Sequence, residues 1–256
     1  MRLMARIFIT GSTDGLGRLA AESLIQQEHR VVVHARSEIR ALEACFTNIE
    51  DVVIGDLSTI AEMRAVSAQV NELGEFDAVI HNVGVGYRPP FVETEDGLPH
   101  VFAINTLAPY VLTALIEKPG RLIYMSSGLH READTSLNDV TWRQRRWKGL
   151  SAYCESKFHD ILLAFAVARR RPDILSNALE PGWVPTRMGG PEAPEDLRDG
   201  TVTQVWLAVT NDPEALVSGQ YFYHQQLREP HPHAYDFEKQ DQLLAECAEI
   251  SGVELN

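Results

Sequence analysis

Arg6-Ile7-Phe8-Ile9-Thr10-Gly11-Ser12-Thr13-Asp14-Gly15-Leu16-Gly17 joins a short apolar run to a turn with glycines at 11, 15 and 17. A helical pattern through Leu19, Ala20, Leu24 and Ile25 follows. The order is strand, tight turn, helix. Glycines in such a turn let the backbone approach a pyrophosphate and let the helix pack close to the sheet, while the helix N-terminus attracts negative charge. Gly11, Ser12, Thr13, Gly15, Leu16 and Gly17 are therefore candidate cofactor-binding residues.

Working outward, the same alternation repeats. Strands are expected at Arg30-Val31-Val32-Val33-His34, about Val52 to Ile54, Ala78-Val79-Ile80-His81, Gly120 to Gly128, Ile174 to Leu179 and Gly219 to Tyr223. Helices are expected at about Ile39 to Phe46, Ile60 to Leu73, Val101 to Leu115, through Tyr153 and Ala166, and from Val202 to Val209. Short apolar strands separated by helices imply an α/β protein whose parallel sheet, of about seven strands, is covered by helices on both faces. Ligands bind such sheets at their carboxyl edge.

Chemistry-bearing residues fall at that edge. The second strand ends at Ala35-Arg36-Ser37, where an NAD site would carry an acid for the ribose 2′-hydroxyl. The Arg36 fork instead matches a 2′-phosphate, so NADP(H) is expected over NAD(H). Tyr153 and Lys157 stand at i and i+4 on one helix face, where both reach one ligand. An ammonium favours the phenolate, so the pair suits proton transfer to a carbonyl oxygen or from an alcohol. Ser126 and Ser127 end the fifth strand, and either can face the site. Asn105 lies among Phe102, Ile104, Leu107 and Val111, where an amide needs partners.

Composition narrows the classes. The 256 residues suffice for a single domain, and 45% hydrophobic with 23% charged residues is ordinary for a folded chain. A net charge of −13 argues against nucleic acid, whose phosphates need a basic surface. Cys45, Cys154 and Cys247 suggest neither a disulfide framework nor a zinc site, and His224, His231 and His233 lack further ligands, so no metal is expected. The start, Met1-Arg2-Leu3-Met4-Ala5-Arg6, lacks a signal-peptide pattern and no stretch is long enough to span a membrane. A cytoplasmic protein is expected.

These motifs together resemble the short-chain dehydrogenase/reductase family over nearly the whole chain, similar to its retinol-dehydrogenase-like and protochlorophyllide-reductase-like branches. Thr10 to Gly17 looks like the family's T-G-x-x-x-G-x-G turn. Asp56-Leu57 resembles the adenine-contacting pair, and Asn82-Val83-Gly84 the N-A-G segment. Pro181-Gly182, followed by Val184 and Thr186, resembles the stretch beside the nicotinamide. The resemblance implies a three-layer, doubly wound Rossmann fold, a homodimer, and a tetrad of Asn105, Ser127, Tyr153 and Lys157. In it Tyr153 is the general acid or base, Lys157 lowers its pKa and holds the nicotinamide ribose, Ser127 bonds the substrate oxygen, and Asn105 holds a relaying water.

Ser127 and Tyr153 are 26 positions apart, wider than is common in the family, because of an insertion at 129–150. Its Trp142-Arg143-Gln144-Arg145-Arg146-Trp147-Lys148 reads as a partner-binding basic patch or as a solvated, partly helical flap. Such an insertion, and Val205-Trp206-Leu207-Ala208 with Ser218-Gly219-Gln220-Tyr221-Phe222, resemble the retinol-dehydrogenase-like branch. A substrate loop at 187–199 and a tail at 225–256 complete one NAD(P)-binding domain. Tyr87, Phe91, Trp183 and Met188 can line an apolar pocket or pack under a loop. The expected activity is NADP-dependent interconversion of a small-molecule carbonyl and alcohol. The alternatives are an NADP-binding regulator without turnover and a carbon–carbon double-bond reductase.

Overall fold

The computed structural model describes residues 4–255. The expectation about the chain's start therefore falls, for residues 1–3, outside the described residues, and the tail is described to 255.

In chain order the elements are β1 (Arg6–Ile9), α1 (Gly15–Gln26), β2 (Arg30–Ala35), α2 (Glu38–Ala44), β3 (Asp51–Ile54), α3 (Ile60–Glu72) and β4 (Ala78–His81). Then come α4 (His100–Phe102), a π turn (Ala103–Leu107), α5 (Ala108–Leu115), β5 (Arg121–Met125) and a 3₁₀ turn (Gly128–Glu132). The remainder is α6 (Gly149–Arg170), β6 (Leu175–Glu180), α7 (Asp199–Val209), β7 (Tyr221–Tyr223), β8 (Gln226–Leu227), a second 3₁₀ turn (Pro232–Tyr235) and α8 (Phe237–Ser251).

The sheet order is β3-β2-β1-β4-β5-β6-β7-β8, and neighbours from β3 to β7 pair in parallel. The expected strands are present, with one addition: β8 folds back antiparallel on β7, Phe222 facing Leu227. Its sequence is too short and polar to read as a strand, and the pairing comes from a tight turn with His224 and Gln225 at positive φ. Strand order reverses direction between β1 and β4, the crevice where such sheets bind ligands.

Alternate side chains on each strand serve two cores. Phe8, Val32, Val79 and Leu122 pack into the layer of α3, α5 and α6. Ile7, Ile9, Val31, Val33, Ile80 and Ile123 pack into the opposite layer with Leu24 of α1 and Val205 of α7. The sheet is thus covered on both faces, as its apolar strands require. Every residue of α6 from Ala152 to Val167 is buried, because α8 lies across its outer side. Arg169 and Arg170 at its end both pair with Asp241 of α8. No described helix is long and apolar enough to cross a membrane.

Two expectations give way here. The helix read as continuous from Val101 to Leu115 carries a π turn at Ala103–Leu107, a distortion that periodicity does not reveal. The 129–150 insertion is not a solvated flap: Leu137, Val140 and Trp142 are buried. Arg145 grips Glu155 of α6 through two nitrogens (3.0 and 2.8 Å), stacks on Trp142 at 3.9 Å and donates to Asp139. Arg143, Arg146 and Lys148 remain exposed.

Candidate active site

The glycine turn is built by its neighbours. Gly11 adopts φ +61°, and a Cβ there would lie 2.9 Å from the Val83 Cα, so only glycine fits. The Gly11 amide donates to His34 Nδ1 (3.0 Å), while His34 Nε2 lies 2.9 Å from the Gly55 carbonyl oxygen. Ser12 Oγ donates to the Ile9 carbonyl and accepts from the His34 amide. Asn82 Nδ2 donates to the carbonyls of Thr10 (3.0 Å) and Gly11 (3.1 Å), and Thr10 Oγ1 accepts from the amides of Asn82 and Val83. Asp14 caps α1 by accepting from the Gly15 amide.

Gly17 is where α1 meets this lattice. A Cβ there would stand 2.3 Å from Asn82 Nδ2 and 2.6 Å from the Gly11 oxygen, both held in place. Gly17→Ala is expected to cost about 2 kcal/mol of stability and to weaken dinucleotide binding at least about tenfold. Thermal unfolding and a cofactor titration check this.

At the far side of the crevice the pair on α6 meets the end of β5. Ser126 Oγ is buried and donates to the Lys157 carbonyl (2.6 Å), so it is spent inside the protein. Ser127 is half-buried and hydrogen-bonds the Tyr153 phenol. Of the two serines, Ser127 faces Tyr153. Lys157 Nζ donates to the Met125 carbonyl and to Asp160 Oδ2, both at 2.8 Å, and lies 5.9 Å from the Tyr153 ring centroid.

Asn105 occupies the π turn, and its amide is fully engaged. Oδ1 accepts from the Val85 amide (2.8 Å), and Nδ2 donates to the Val85 carbonyl and to Ser156 Oγ, both at 3.0 Å. The side chain therefore clamps the loop after β4 to α6. Gly84, in that loop, stands between Asn105 and Lys157: a Cβ there would be 3.6 Å from both Oδ1 and Nζ.

Electrostatics refine the expectation about the phenol. Burial pushes Tyr153 above its ordinary value, outweighing the Lys157 charge and the Ser127 hydrogen bond that pull the other way. Burial would by itself lower the Lys157 ammonium, but the Asp160 and Tyr153 charges and the Asp160 hydrogen bond leave it raised. Burial likewise pushes Asp160 up to about 6, against the pull of Lys157.

The remaining candidates lie around the same edge. Arg36 is exposed at the end of β2, without an ion-pair partner among the described residues, and Ser37 caps α2. Asp56 is exposed after β3, whereas the Leu57 side chain is in the core (1% exposed). Gly182 turns the chain at φ +82°, Thr186 approaches Gly15, and Val184 is buried against Gly200. Met188 comes from loop 187–199 to rest its Sδ 3.7 Å from the Tyr153 hydroxyl, beside Gly86. The Tyr87 ring stands 5.6 Å from that of Tyr153. Phe91 stacks on Trp147, and Trp183 is exposed with its indole donating to Gly189.

A profile of the short chain dehydrogenase family matches residues 5–196. The chain belongs to that family. It is 43% identical to the short-chain dehydrogenase chry4 of Gibberella zeae, over 98% of this chain and 99% of that one. Human retinol dehydrogenase 13 is 27% identical over 97% of this chain and 85% of its own, which agrees with the resemblance to that branch. Among solved structures, the NADPH-bound carbonyl reductase from chicken fatty liver shares the fold with a TM-score of 0.64 at 20% identity, covering 89% of this chain and 99% of that one. The protein is thus a short-chain oxidoreductase of the NAD(P)-binding Rossmann type.

Three side chains of this short-chain dehydrogenase site were not marked by the sequence reading. His34 reads as an ordinary strand residue, and nothing in its spacing announces the bond to Gly11. Met188 reaches the phenol only through the fold of its loop. Asp160 carried a signal: 153, 157 and 160 follow the i, i+4, i+7 spacing of one helix face. Among the described residues, no group of three or more His, Cys, Asp or Glu side chains is placed to hold a metal. His224 instead bonds Glu195, and the His231 amide donates to His130.

Proposed function

We propose that the chain is an NADP(H)-dependent oxidoreductase interconverting a carbonyl and an alcohol, with Tyr153 moving the proton. The observation that carries this reading is the convergence of Tyr153, Ser127 and Lys157 at the strand carboxyl edge, across the crevice from the glycine turn. The local structure fits a dinucleotide: Gly11 and Gly17 admit no side chain, and α1 points its N-terminus at the turn. The bound cofactor would supply or accept the hydride.

The chain's own residues then divide the work. Ser127 bonds the substrate oxygen and the phenol together, placing that oxygen within reach of the Tyr153 proton. Lys157 spends two of its three donors on Met125 and Asp160, and the third is left for the nicotinamide ribose. The phenol carries its proton at neutral pH, as a general acid must before a carbonyl is reduced. Gly11, Ser12, Thr13, Gly15, Leu16 and Gly17 would cradle the pyrophosphate. Asp56 and the Leu57 backbone would meet the adenine, and Val83, Gly84, Pro181, Gly182, Val184 and Thr186 the nicotinamide half. Asn82 serves by fixing the turn. Met188 must leave the phenol for substrate to enter, and Tyr87, Phe91 and Trp183 give the entrance an apolar rim. By resemblance we also read one domain, a homodimer and a cytoplasmic enzyme, which sedimentation and fractionation test.

The cofactor choice rests on Arg36, with the NADPH bound in the chicken reductase as support. Titration of intrinsic tryptophan fluorescence is expected to show tighter NADPH than NADH binding. Arg36→Ala is expected to weaken NADPH by about 10- to 100-fold, the worth of a charge-assisted bidentate contact, and to leave NADH unchanged. Equal affinities in the wild type would overturn the NADP assignment. Tight cofactor binding with no reaction across a carbonyl and alcohol panel would instead favour a regulator.

A further inference from the structure

Asp160 lies one turn beyond Lys157 on α6, and both side chains are almost wholly buried, at 3% and 6% exposed. A carboxylate and an ammonium in such a place are costly apart and tolerable only together. The ion pair is short and direct, Nζ to Oδ2 at 2.8 Å, and the Met125 carbonyl holds a second N–H of the same ammonium. These two anchors leave one N–H direction, on the side of Gly84 and the Tyr153 ring. Asp160 itself is too deep to touch a ligand in the crevice; it acts through Lys157.

We propose that Asp160 is a positioning residue of this site, whose carboxylate keeps the buried Lys157 ammonium charged and aims its remaining N–H at the ligand beside Tyr153. The inference deepens the functional reading above and rests on it for its kinetic consequence. The groups around Asp160 support it. Lys157 is the one charge that acts on the carboxylate directly among the described residues. Tyr124 of β5 faces it, burial keeping this phenol protonated, and Arg171 acts on the same phenol. His81 of β4 stacks on Tyr124 at 4.8 Å and bonds Thr113 of α5, which also bonds Tyr124. Burial lowers His81 to about 3, so it is neutral and offers no competing cation. Tyr153, on the same helix, feels Asp160 as a charge that opposes Lys157.

The test is the titration of Lys157 by NMR on protein with ¹³C-labelled lysine, in the wild type, Asp160→Asn and Asp160→Glu, alongside pH profiles of alcohol oxidation. In the wild type Lys157 is expected to titrate above the ordinary lysine range, through the Asp160 and Tyr153 charges. In Asp160→Asn burial is opposed by the Tyr153 charge alone, and the Lys157 midpoint is expected to fall by about two pH units. Lys157 then loses its charge in the alkaline range where the phenol must ionise, so the limb of the oxidation profile on which activity rises with pH moves up by about one pH unit, and kcat on that limb falls about tenfold with KM unchanged. Asp160→Glu restores both. A Lys157 midpoint unmoved in Asp160→Asn overturns the proposal. If that variant does not fold, the wild type decides: the Lys157 signal must shift as the Asp160 carboxyl titrates, and a lysine signal indifferent to that step overturns it too. The NMR reading needs no turnover, so a protein without oxidoreductase activity and a wrong assignment of Asp160 give different results.

Discussion

Tyr153→Phe is expected to lower turnover about 10³-fold or more while leaving NADPH affinity within about threefold. The substitution deletes one oxygen. Its effect follows from the position of that oxygen, bonded to Ser127 and facing the opening under Met188. A positioned general acid contributes about 10² to 10⁴ in rate, and no second donor stands ready here: Ser126 is spent on a carbonyl, and Lys157 points its bonds at Met125 and Asp160. The ring itself is retained, packed at 5.6 Å against Tyr87, so melting is expected to move little. The measurement is single-turnover reduction with NADPH, with fluorescence titration of the cofactor on the same preparation. A Tyr153→Phe enzyme that kept turnover within a few-fold of wild type would remove Tyr153 from the mechanism, whatever Lys157 variants did.

How much of this could be read before any coordinates follows from the range of the forces involved. The strands and helices were legible because each is a local pattern of apolar spacing, and the β1 turn with its glycines places the crevice by topology alone. Tyr153 and Lys157 were legible because four residues on a helix make neighbours. Asp160 obeyed the same rule and was passed over because the family pattern ends at the lysine. Asn105 shows the opposite limit. Its need for partners was evident, but its identity as a clamp on Val85 depends on a π turn, and one inserted helical residue leaves no trace in periodicity. The insertion at 129–150 looked solvated because its charges are dense; its anchor, Arg145 on Glu155, joins residues whose proximity only α6 packing creates. Between Ser126 and Ser127, sequence offers no preference, and the structure separates them by direction alone.

Mild acid is expected to destabilise this protein steeply, and the cause is in four buried imidazoles. Burial lowers His34 and His130 to about 4, and His81 and His159 to about 3, each from an ordinary 6.5. All four are at most 2% exposed. In the unfolded chain these groups take up protons as pH falls through about 6.5; in the folded protein they refuse them until far lower. The unfolded state then binds more protons, so stability drops as pH falls from about 6.5 toward 4, by roughly 5 kcal/mol per pH unit for four groups. Asp160, raised to about 6, works against this with a single proton. Against a total stability of about 5 to 15 kcal/mol the histidines win. The melting temperature at pH 5 is expected to lie roughly 10 °C or more below that at pH 7.5. Because His34 holds the Gly11 amide, bound NADPH should offset part of the loss by mass action on the folded state. A melting temperature flat between pH 7.5 and 5 would mean that one or more of these imidazoles accepts its proton inside the fold. Replacing His81, the one with an unpartnered Nδ1, by Asn or Leu would then fail to flatten the curve further, whereas under the mechanism argued here it reduces the slope by one proton.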